Sequence, residues 1–331
     1  MRNSISKSYW KNLNIFAKNS VTPTLLIVYL AMIIFFTALN PLYSSYKNII
    51  GILSNLSIFG IMSVGLTFVM LTGNFDISIG SITGFAVIMT AKLFNIPNVE
   101  IPLPLVIIIV IFIGAIIGAI NGFFVTVVGL NSIITTLGTL AIFRGLCYVY
   151  GLEPLTISNQ TFTYIGRGYI LKNIPLSFFY MTVIFIIGYL ALRFTVFGRK
   201  VYLVGANLES AILSGIQFKK IQFTTFIISG ATAAISGILL TSQLNYAQGE
   251  FGLGYEFKIL TICVLGGISL MGGRGTLVGV IVATFILGSI ASGLALIGMP
   301  LNWREAIHGG ILIMAILIDS FRLRRRELLR E

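Results

Sequence analysis

Long apolar stretches, separated by short polar or charged breaks, run along almost the whole chain. A helix needs about 20 apolar residues to cross the hydrocarbon core of a bilayer. Apolar intervals, most of them free of charged residues, predict ten such helices. The intervals are 21–46, 48–75, 77–91, 101–143 (two spans), 173–192, 221–249, 259–273, 275–303 and 303–321. The chain is therefore predicted to fold as an all-α, polytopic transmembrane bundle of about ten spans.

Glycine and asparagine positions refine this pattern. The interval 101–143 is predicted to divide at residues 129–132, where Gly129 and Asn131 interrupt the apolar run. The interval 259–273 is short and ends in glycine, so its helix is predicted to be tilted or re-entrant. Glycines at positions 114, 118 and 122 form two Gly-x-x-x-Gly steps, which predict close helix contact inside the bundle or between two chains.

Composition excludes an ordinary soluble protein. Hydrophobic residues make up 56% of the 331, charged residues only 10%, and the mean hydropathy is +0.98, whereas soluble domains carry roughly 25% charged residues. The net charge of +12 does not indicate nucleic acid binding, because no predicted soluble domain exists to carry a basic groove. The segment 21–39 is too long for the apolar core of a signal peptide and lacks a small-residue cleavage site, so it is predicted to be an uncleaved first span.

The distribution of Lys and Arg predicts the orientation. Most of the 22 basic residues lie near the N-terminus, between residues 193 and 220, or after residue 321, and basic clusters flank membrane helices on the cytoplasmic side. An even number of spans agrees with two cytoplasmic ends. The predicted order is a cytoplasmic segment at 1–20, a transmembrane domain at 21–321 with a cytoplasmic loop at about 195–220, and a basic cytoplasmic tail at 322–331. Five spans in each half, starting from opposite sides, are compatible with an inverted 5+5 repeat.

Several kinds of chemistry lack the residues that they need. His308 is the one histidine of the sequence, so a multi-histidine metal site is excluded, and no metal is predicted. Cys147 and Cys263 lie in apolar runs and are predicted to be core residues. The sequence offers neither a catalytic cluster nor a phosphate-binding loop with its Lys-Ser/Thr ending. The chain is predicted not to be an enzyme and to bind no cofactor.

The loop at about 195–220 is longer than a simple connection requires. From Asn207, a suitable N-cap, Leu208, Ala211 and Ile212 follow at helical spacing until Gly215 ends the pattern. This pattern predicts a short amphipathic helix on the cytoplasmic side. Its apolar face requires either a groove on a partner subunit or the lipid interface.

The same loop resembles a known family. Glu209-Ser210-Ala211, followed after three residues by Gly215, is similar to the Glu-Ala-Ala…Gly coupling motif of ABC-importer permeases; Ser210 departs from the usual alanine. Residues 71–81, 136–145, 198–207 and 264–276 resemble the branch of sugar permeases that serves ribose, xylose, rhamnose and autoinducer-2. The likeness extends from about residue 45 to 320. It implies that Asn207, Glu209, Ser210, Ala211 and Gly215 couple the chain to an ATPase.

This resemblance also implies the setting of the chain. Such permeases lie in the bacterial inner membrane and work as pairs of identical or different permease chains. A tandem-domain cytoplasmic ATPase binds the ATP and Mg²⁺, and a periplasmic or lipid-anchored binding protein delivers the solute. The implied function is ATP-driven import of a pentose, a deoxyhexose or autoinducer-2. A secondary active transporter is the alternative, although it would need more intramembrane carboxylates than this sequence supplies.

Polar residues inside or beside the apolar intervals are candidates for the wall of the translocation pathway. They are Asn74, Asp76, Ser78, Ser81, Asn121, Asn131, Arg144, Gln243 and Asn245. Asp76 is the one carboxylate between Lys47 and Lys92, and it either lines the pathway or caps the third span from a cytoplasmic loop. Arg144 either contacts solute oxygens, snorkels outward or pairs with a carbonyl group in the bundle.

Overall fold

A computed structural model describes residues 22–170 and 173–328. The predicted cytoplasmic segment 1–20 and the last three residues of the basic tail lie outside the described residues. The described part is mainly helical. Its helices are α1 Thr22–Leu39, α2 Tyr46–Leu71, α3 Ile79–Phe94, α4 Leu103–Phe123, α5 Ser132–Tyr150, α6 Gln160–Arg167, α7 Leu176–Phe194, α8 Val196–Ala206, α9 Leu208–Leu213, α10 Phe218–Leu244, α11 Tyr255–Leu265, α12 Leu277–Leu296 and α13 Leu301–Leu328.

Each of the ten predicted intervals overlaps one of these helices. Within the described residues, α1, α2, α4, α5, α7, α10 and α12 are long and apolar enough to cross a membrane. The other three intervals correspond to α3 with 16 residues, α11 with 11 residues, and α13, which is long but polar at its start. The prediction of an all-helical polytopic membrane protein is confirmed.

The division of the interval 101–143 follows from local backbone chemistry. After α4, the chain makes one π-helical turn and then reaches Gly129, whose φ of +88° favours glycine. The Asn131 side chain then accepts hydrogen bonds from the amides of Ile133 and Ile134 at 2.9 and 3.3 Å, which starts α5. The predicted break at residues 129–132 is confirmed.

Short strands tie the outer segments together. β1 (Leu155–Thr156) pairs antiparallel with β4 (Tyr246–Ala247), with Leu155 opposite Ala247. β2 (Tyr169–Ile170) pairs antiparallel with β3 (Ile174–Pro175). The first pair attaches the segment after α5 to the end of α10.

Helices α2 and α10 cross antiparallel at the centre of the bundle. Close to the crossing, Ser236 Oγ donates to the Ile58 carbonyl at 3.0 Å. A Cβ on Gly65 would lie 2.0 Å from Thr232 Oγ1, so only glycine permits this approach. On its other side, α10 packs on α4, where Gly114 and Gly118 face Gly230 and Phe226. The Gly-x-x-x-Gly steps therefore make their contact inside the bundle.

The substitution Gly118→Leu is expected to destabilise the bundle strongly. A Cβ at position 118 would lie 2.2 Å from the Phe226 carbonyl oxygen, and a backbone atom cannot move aside as a flexible side chain can. We expect the midpoint of thermal unfolding in detergent to fall by roughly 4–8 °C, the consequence of a loss of about 2–3 kcal/mol. The matched control is Gly51→Leu in α2, where no atom lies within 4 Å of the added Cβ. Equal midpoints for the two variants would contradict this packing.

The two halves of the bundle use the same helix pairs. In the first half α3 packs on both α4 and α5, and in the second half α11 packs on both α12 and α13. Across the halves, α10 contacts α3 and α4, while α2 contacts α11 and α12. Four helices of each half therefore follow a common pattern around the antiparallel pair α2 and α10. The first helix of each half does not follow it, since α1 packs on α12 whereas α7 packs on α2.

Candidate functional site

Two loops enter the bundle from opposite sides and end near its middle. Each begins with Gly-x-Phe, at residues 73–75 and 249–251, and each leads six residues later into a short helix, α3 or α11. The carboxylate of Asp76 in the first loop reaches Ser229, close to the midpoint of α10. In the second, the ring of Tyr255 lies 4.8 Å from that of Phe59, midway along α2. Helices α3 and α11 therefore start deep within the bundle, as half-helices do in many transporters.

The Asp76 carboxylate accepts hydrogen bonds from three neutral donors. They are the Ser78 amide at 3.1 Å, the Ser78 hydroxyl at 2.5 Å and the Ser229 hydroxyl at 2.7 Å. The side chain is only 2% exposed. The buried Asp76 carboxylate therefore joins the loop before α3 to the middle of α10.

The hydrogen bonds continue from Asp76 toward α5. The Asn121 amide donates to Ser78 Oγ at 2.9 Å, and its oxygen accepts from Thr139 Oγ1 at 2.6 Å. The polar network is thus Thr139, Asn121, Ser78, Asp76 and Ser229, and it connects the helices α4, α5 and α10 with the loop.

Helix α5 also binds the backbone of this loop. The amides of Phe75 and Ile77 donate to Ser132 Oγ and Thr136 Oγ1 at 3.2 and 3.1 Å. Backbone groups in a membrane need such partners. Ser132, Thr136, Thr139 and Ser229 were absent from the sequence-based candidates; they lie far from Asp76 in sequence, and hydroxyl groups in apolar helices are common.

Arg144 holds the second loop. Its Nη1 donates to the Gly249 and Phe251 carbonyls at 3.2 and 2.9 Å. This contact matches the structural alternative, in which the arginine pairs with carbonyl groups in the bundle. Glu256, in the first turn of α11, is buried, and its carboxylate lies against Gly80 in the first turn of α3: a Cβ there would lie 2.0 Å from Glu256 Oε2. The two half-helices therefore meet at their N-termini, where carboxylates are electrostatically favoured.

The remaining candidates are spread over the molecule. Asn74 and Ser81 are buried beside the polar network, where Asn74 donates to Thr72 Oγ1 and Ser81 to the Ser78 carbonyl. Asn131 is exposed at the start of α5. Gln243 binds Ser54, and Asn245 accepts from Thr163 in the short helix α6. The structure therefore unites Asp76, Ser78 and Asn121 and separates Asn131, Gln243 and Asn245 from them.

Helix α9 is the predicted short helix. The Asn207 side chain accepts from the Ser210 amide at 2.9 Å, and Gly215, with φ of +70°, ends the helix. The Gly215 amide donates to the Ile212 carbonyl and the Ile216 amide to the Ala211 carbonyl, which is the Schellman arrangement. Asn207 and Gly215 therefore define the two ends of α9.

The apolar side chains of α9 are mostly uncovered. Ala211 is buried against the rest of the chain, whereas Leu208, Ile212 and Leu213 are 42%, 49% and 84% exposed. Glu209 and Ser210 are exposed as well. The sequence pattern grouped Ala211 with Leu208 and Ile212 on one apolar face that needs a partner groove or the lipid interface. In the structure Ala211 packs against the rest of the chain, and Leu208 and Ile212 stay exposed.

Helix α8 connects α9 to the first loop. A Cβ on Gly205 would lie 1.9 Å from the Leu71 carbonyl oxygen, and the Gly273 amide donates to this same oxygen at 2.9 Å. Tyr202 donates its hydroxyl to the Gly275 carbonyl at 3.0 Å, and burial raises the pKa of this phenol to about 12, so that it remains a donor at neutral pH. Helix α8 is therefore fixed to the end of α2, where the first loop begins.

Comparison with known proteins adds a family to this geometry. A family model described as the permease component of branched-chain amino acid transport systems matches residues 48–316. The chain belongs to this family. The matched range contains both inward loops, both half-helices and the helix α9, so the permease family covers every part of the candidate site.

Members of this permease family resemble the chain along most of its length. The ribose import permease of Haemophilus influenzae is 33% identical over 301 residues, 89% of this chain and 91% of that protein. The autoinducer 2 import system permease of Photorhabdus luminescens is 34% identical over 308 residues, 92% and 91% of the two chains. The L-arabinose ABC transporter permease of Azospirillum brasilense is 31% identical over 288 residues, 87% and 84%. No solved structure matches the chain.

Proposed function

We propose that this chain is the membrane-spanning permease subunit of an ABC importer that brings a sugar or sugar-like solute, such as a pentose, a deoxyhexose or autoinducer-2, into the cytoplasm. The observation that carries the proposal is α9, a capped helix whose leucine and isoleucine side chains are exposed outside the bundle. Relatives named as ribose, L-arabinose and autoinducer 2 permeases support the class of solute.

In this proposal the chain forms the solute pathway, and a partner subunit hydrolyses the ATP. A tandem-domain ATPase subunit binds ATP and Mg²⁺ and receives α9 in a groove, with Asn207, Glu209, Ser210, Ala211 and Gly215 as the coupling residues. When the ATPase closes, α9 moves with it, and α8 carries the movement to the end of α2 and the first loop. ATP binding in the partner subunit is thereby coupled to the solute pathway through α9 and α8, which adopt two arrangements.

The outer and lateral surfaces accommodate the other partners. A periplasmic or lipid-anchored binding protein delivers the solute at the face formed by α6 and the short strands. A second permease chain, identical or homologous, packs on the exposed face of α5, where Gly138 and Gly145 have no neighbouring atom within 4 Å and permit close helix approach. Both termini and the loop at about 195–220 are cytoplasmic, so the 21–321 domain spans the inner membrane.

The experiment that tests the solute class uses the chain reconstituted into proteoliposomes with its cognate ATPase and binding protein. Uptake is measured for ribose, arabinose, xylose, rhamnose, galactose, autoinducer-2 and leucine. We expect one hydroxylated solute to be taken up at least tenfold faster than leucine, because the relatives are named for such solutes. Leucine is included because the family description names branched-chain amino acids. Uptake of leucine alone would contradict the proposed solute class.

A further inference from the structure

An ion pair joins α11 and α13, outside the network described above. Lys258 in α11 and Glu305 in α13 approach to 2.7 Å, the one salt bridge within the described residues. The Lys258 ammonium also lies 5.9 Å from the ring centroid of Phe59 and 5.8 Å from that of Tyr255. His308, one turn after Glu305, interacts electrostatically with both charges.

The position of Phe59 gives the depth of this pair. Phe59 stands midway along α2, a helix of 26 residues. Such a helix is about 39 Å long, against a hydrocarbon core of about 30 Å. The ammonium of Lys258 therefore lies near the centre of the bilayer, although its side chain belongs to a short helix that starts at residue 255.

The Glu305 carboxylate is not enclosed by the chain. Its side chain is 49% exposed and that of Lys258 is 21% exposed. Hydrocarbon supplies no hydrogen-bond donor, and charged groups at this depth are costly unless they face the interior of an assembly or a water-filled cavity. The exposed half of Glu305 therefore faces water or solute in the assembled permease.

The surface around Glu305 differs from a lipid-facing surface. Along the first turns of α13 the exposed positions are Leu301, Asn302, Trp303, Glu305, Ala306 and Gly309, a mixture of polar, small and large apolar residues. Along α4 the exposed positions are large and apolar. They are Ile108, Phe112, Ile116 and Ile120. Helix α4 therefore has the composition of a lipid-facing surface, whereas the start of α13 also presents polar and small residues around the ion pair.

We propose that Lys258 and Glu305, with the rings of Phe59 and Tyr255, form a binding station for a hydroxylated solute in transit through the pathway. The ammonium donates hydrogen bonds and the carboxylate accepts them, which matches the hydroxyl groups of a sugar. The two rings supply apolar surface for the C–H groups of the same molecule. This inference rests on the proposed function and adds residues that no sequence-based candidate included.

Thiol labelling tests the station directly. Glu305→Cys is compared with Phe112→Cys, a mid-helix control in α4 that is 64% exposed. Cys147 and Cys263 are fully buried, so the unmodified chain serves as the blank. The reconstituted complex is treated with a membrane-impermeant sulfonate methanethiosulfonate reagent, both without nucleotide and with ATP and vanadate. We expect Glu305→Cys to react at least tenfold faster than Phe112→Cys in at least one of these states.

Protection of Glu305→Cys from labelling by added sugar distinguishes solute binding at this position from simple exposure to water. The sugar that supports the fastest uptake is expected to slow the labelling of Glu305→Cys at least threefold, and the similarly sized Glu305→Gln is expected to lower the uptake rate at least fivefold. Labelling no faster than that of Phe112→Cys, labelling unaffected by the sugar, or normal uptake by Glu305→Gln would each overturn the station. If the unaltered complex takes up no sugar, the proposed function fails separately, while the reactivity of Glu305→Cys still decides whether the pair faces water.

Discussion

Glu209→Lys is expected to abolish ATP-driven uptake, with a loss of at least tenfold, while the variant chain still folds and enters the membrane. Glu209 is exposed on α9, and its side chain forms no ion pair within the described residues. The bundle should therefore tolerate the change. A positive charge in place of a negative one would oppose docking into the proposed ATPase groove, which the coupling motif implies receives a carboxylate, since juxtaposed like charges weaken an interface strongly.

The measurement compares ATP-driven uptake, ATPase binding and thermal unfolding for Glu209→Lys and Ser210→Ala. Ser210 is the neighbouring exposed residue, and alanine is the usual residue of the resembled motif, so Ser210→Ala should keep uptake within twofold. Both variants should unfold at the temperature of the unaltered chain. Full uptake in Glu209→Lys, with the ATPase still bound, would remove α9 as the coupling element.

Asp76→Ala is expected to cause the second large loss, this time through the structure of the pathway. The change removes the acceptor of the Ser78 amide, the Ser78 hydroxyl and the Ser229 hydroxyl in a buried region. Each buried donor left without a partner costs roughly 1–3 kcal/mol. The first loop should detach from α10, so that uptake falls at least tenfold and the unfolding midpoint in detergent falls as well.

Asp76→Asn is the matched control for this experiment. The amide oxygen can still accept from Ser78, and the Ser229 hydroxyl can rotate to accept from the new amide group. We therefore expect Asp76→Asn to unfold close to the temperature of the unaltered chain, well above that of Asp76→Ala. It should also retain measurable uptake. Equal stability of Asp76→Ala and the unaltered chain would show that the polar network does not hold the loop.

The regular elements of the fold follow from local sequence. Apolar runs predicted the ten helices, and Gly129 with Asn131 predicted the break between α4 and α5. Asn207 and Gly215 predicted both ends of α9, because caps depend on residues that are neighbours in the chain. The exposed face of α9 was a weaker prediction, since which of its apolar residues packs inward depends on α8 and α10.

The depth of the two loops could not be predicted in the same way. A charged residue was interpreted as the boundary of a span, and this rule placed both Asp76 and Lys258 outside the predicted spans. The rule fails where a half-helix begins inside the bundle, because partners that are distant in sequence accommodate the charge: Ser229 for Asp76 and Glu305 for Lys258. The Gly-x-Phe repeat at 73–75 and 249–251, at equal distance from two helix starts, is the signal that could have revealed both loops.

The central claim is that ATP hydrolysis in a partner subunit drives solute through this chain. The most direct test is uptake into proteoliposomes that contain the chain, its ATPase and its binding protein, with a protonophore added to half of the samples. Uptake should require ATP on the side of the membrane where the ATPase lies. The protonophore should leave the rate of uptake unchanged. Uptake that continues without ATP and collapses with the protonophore would instead identify a secondary active transporter and contradict the proposed function.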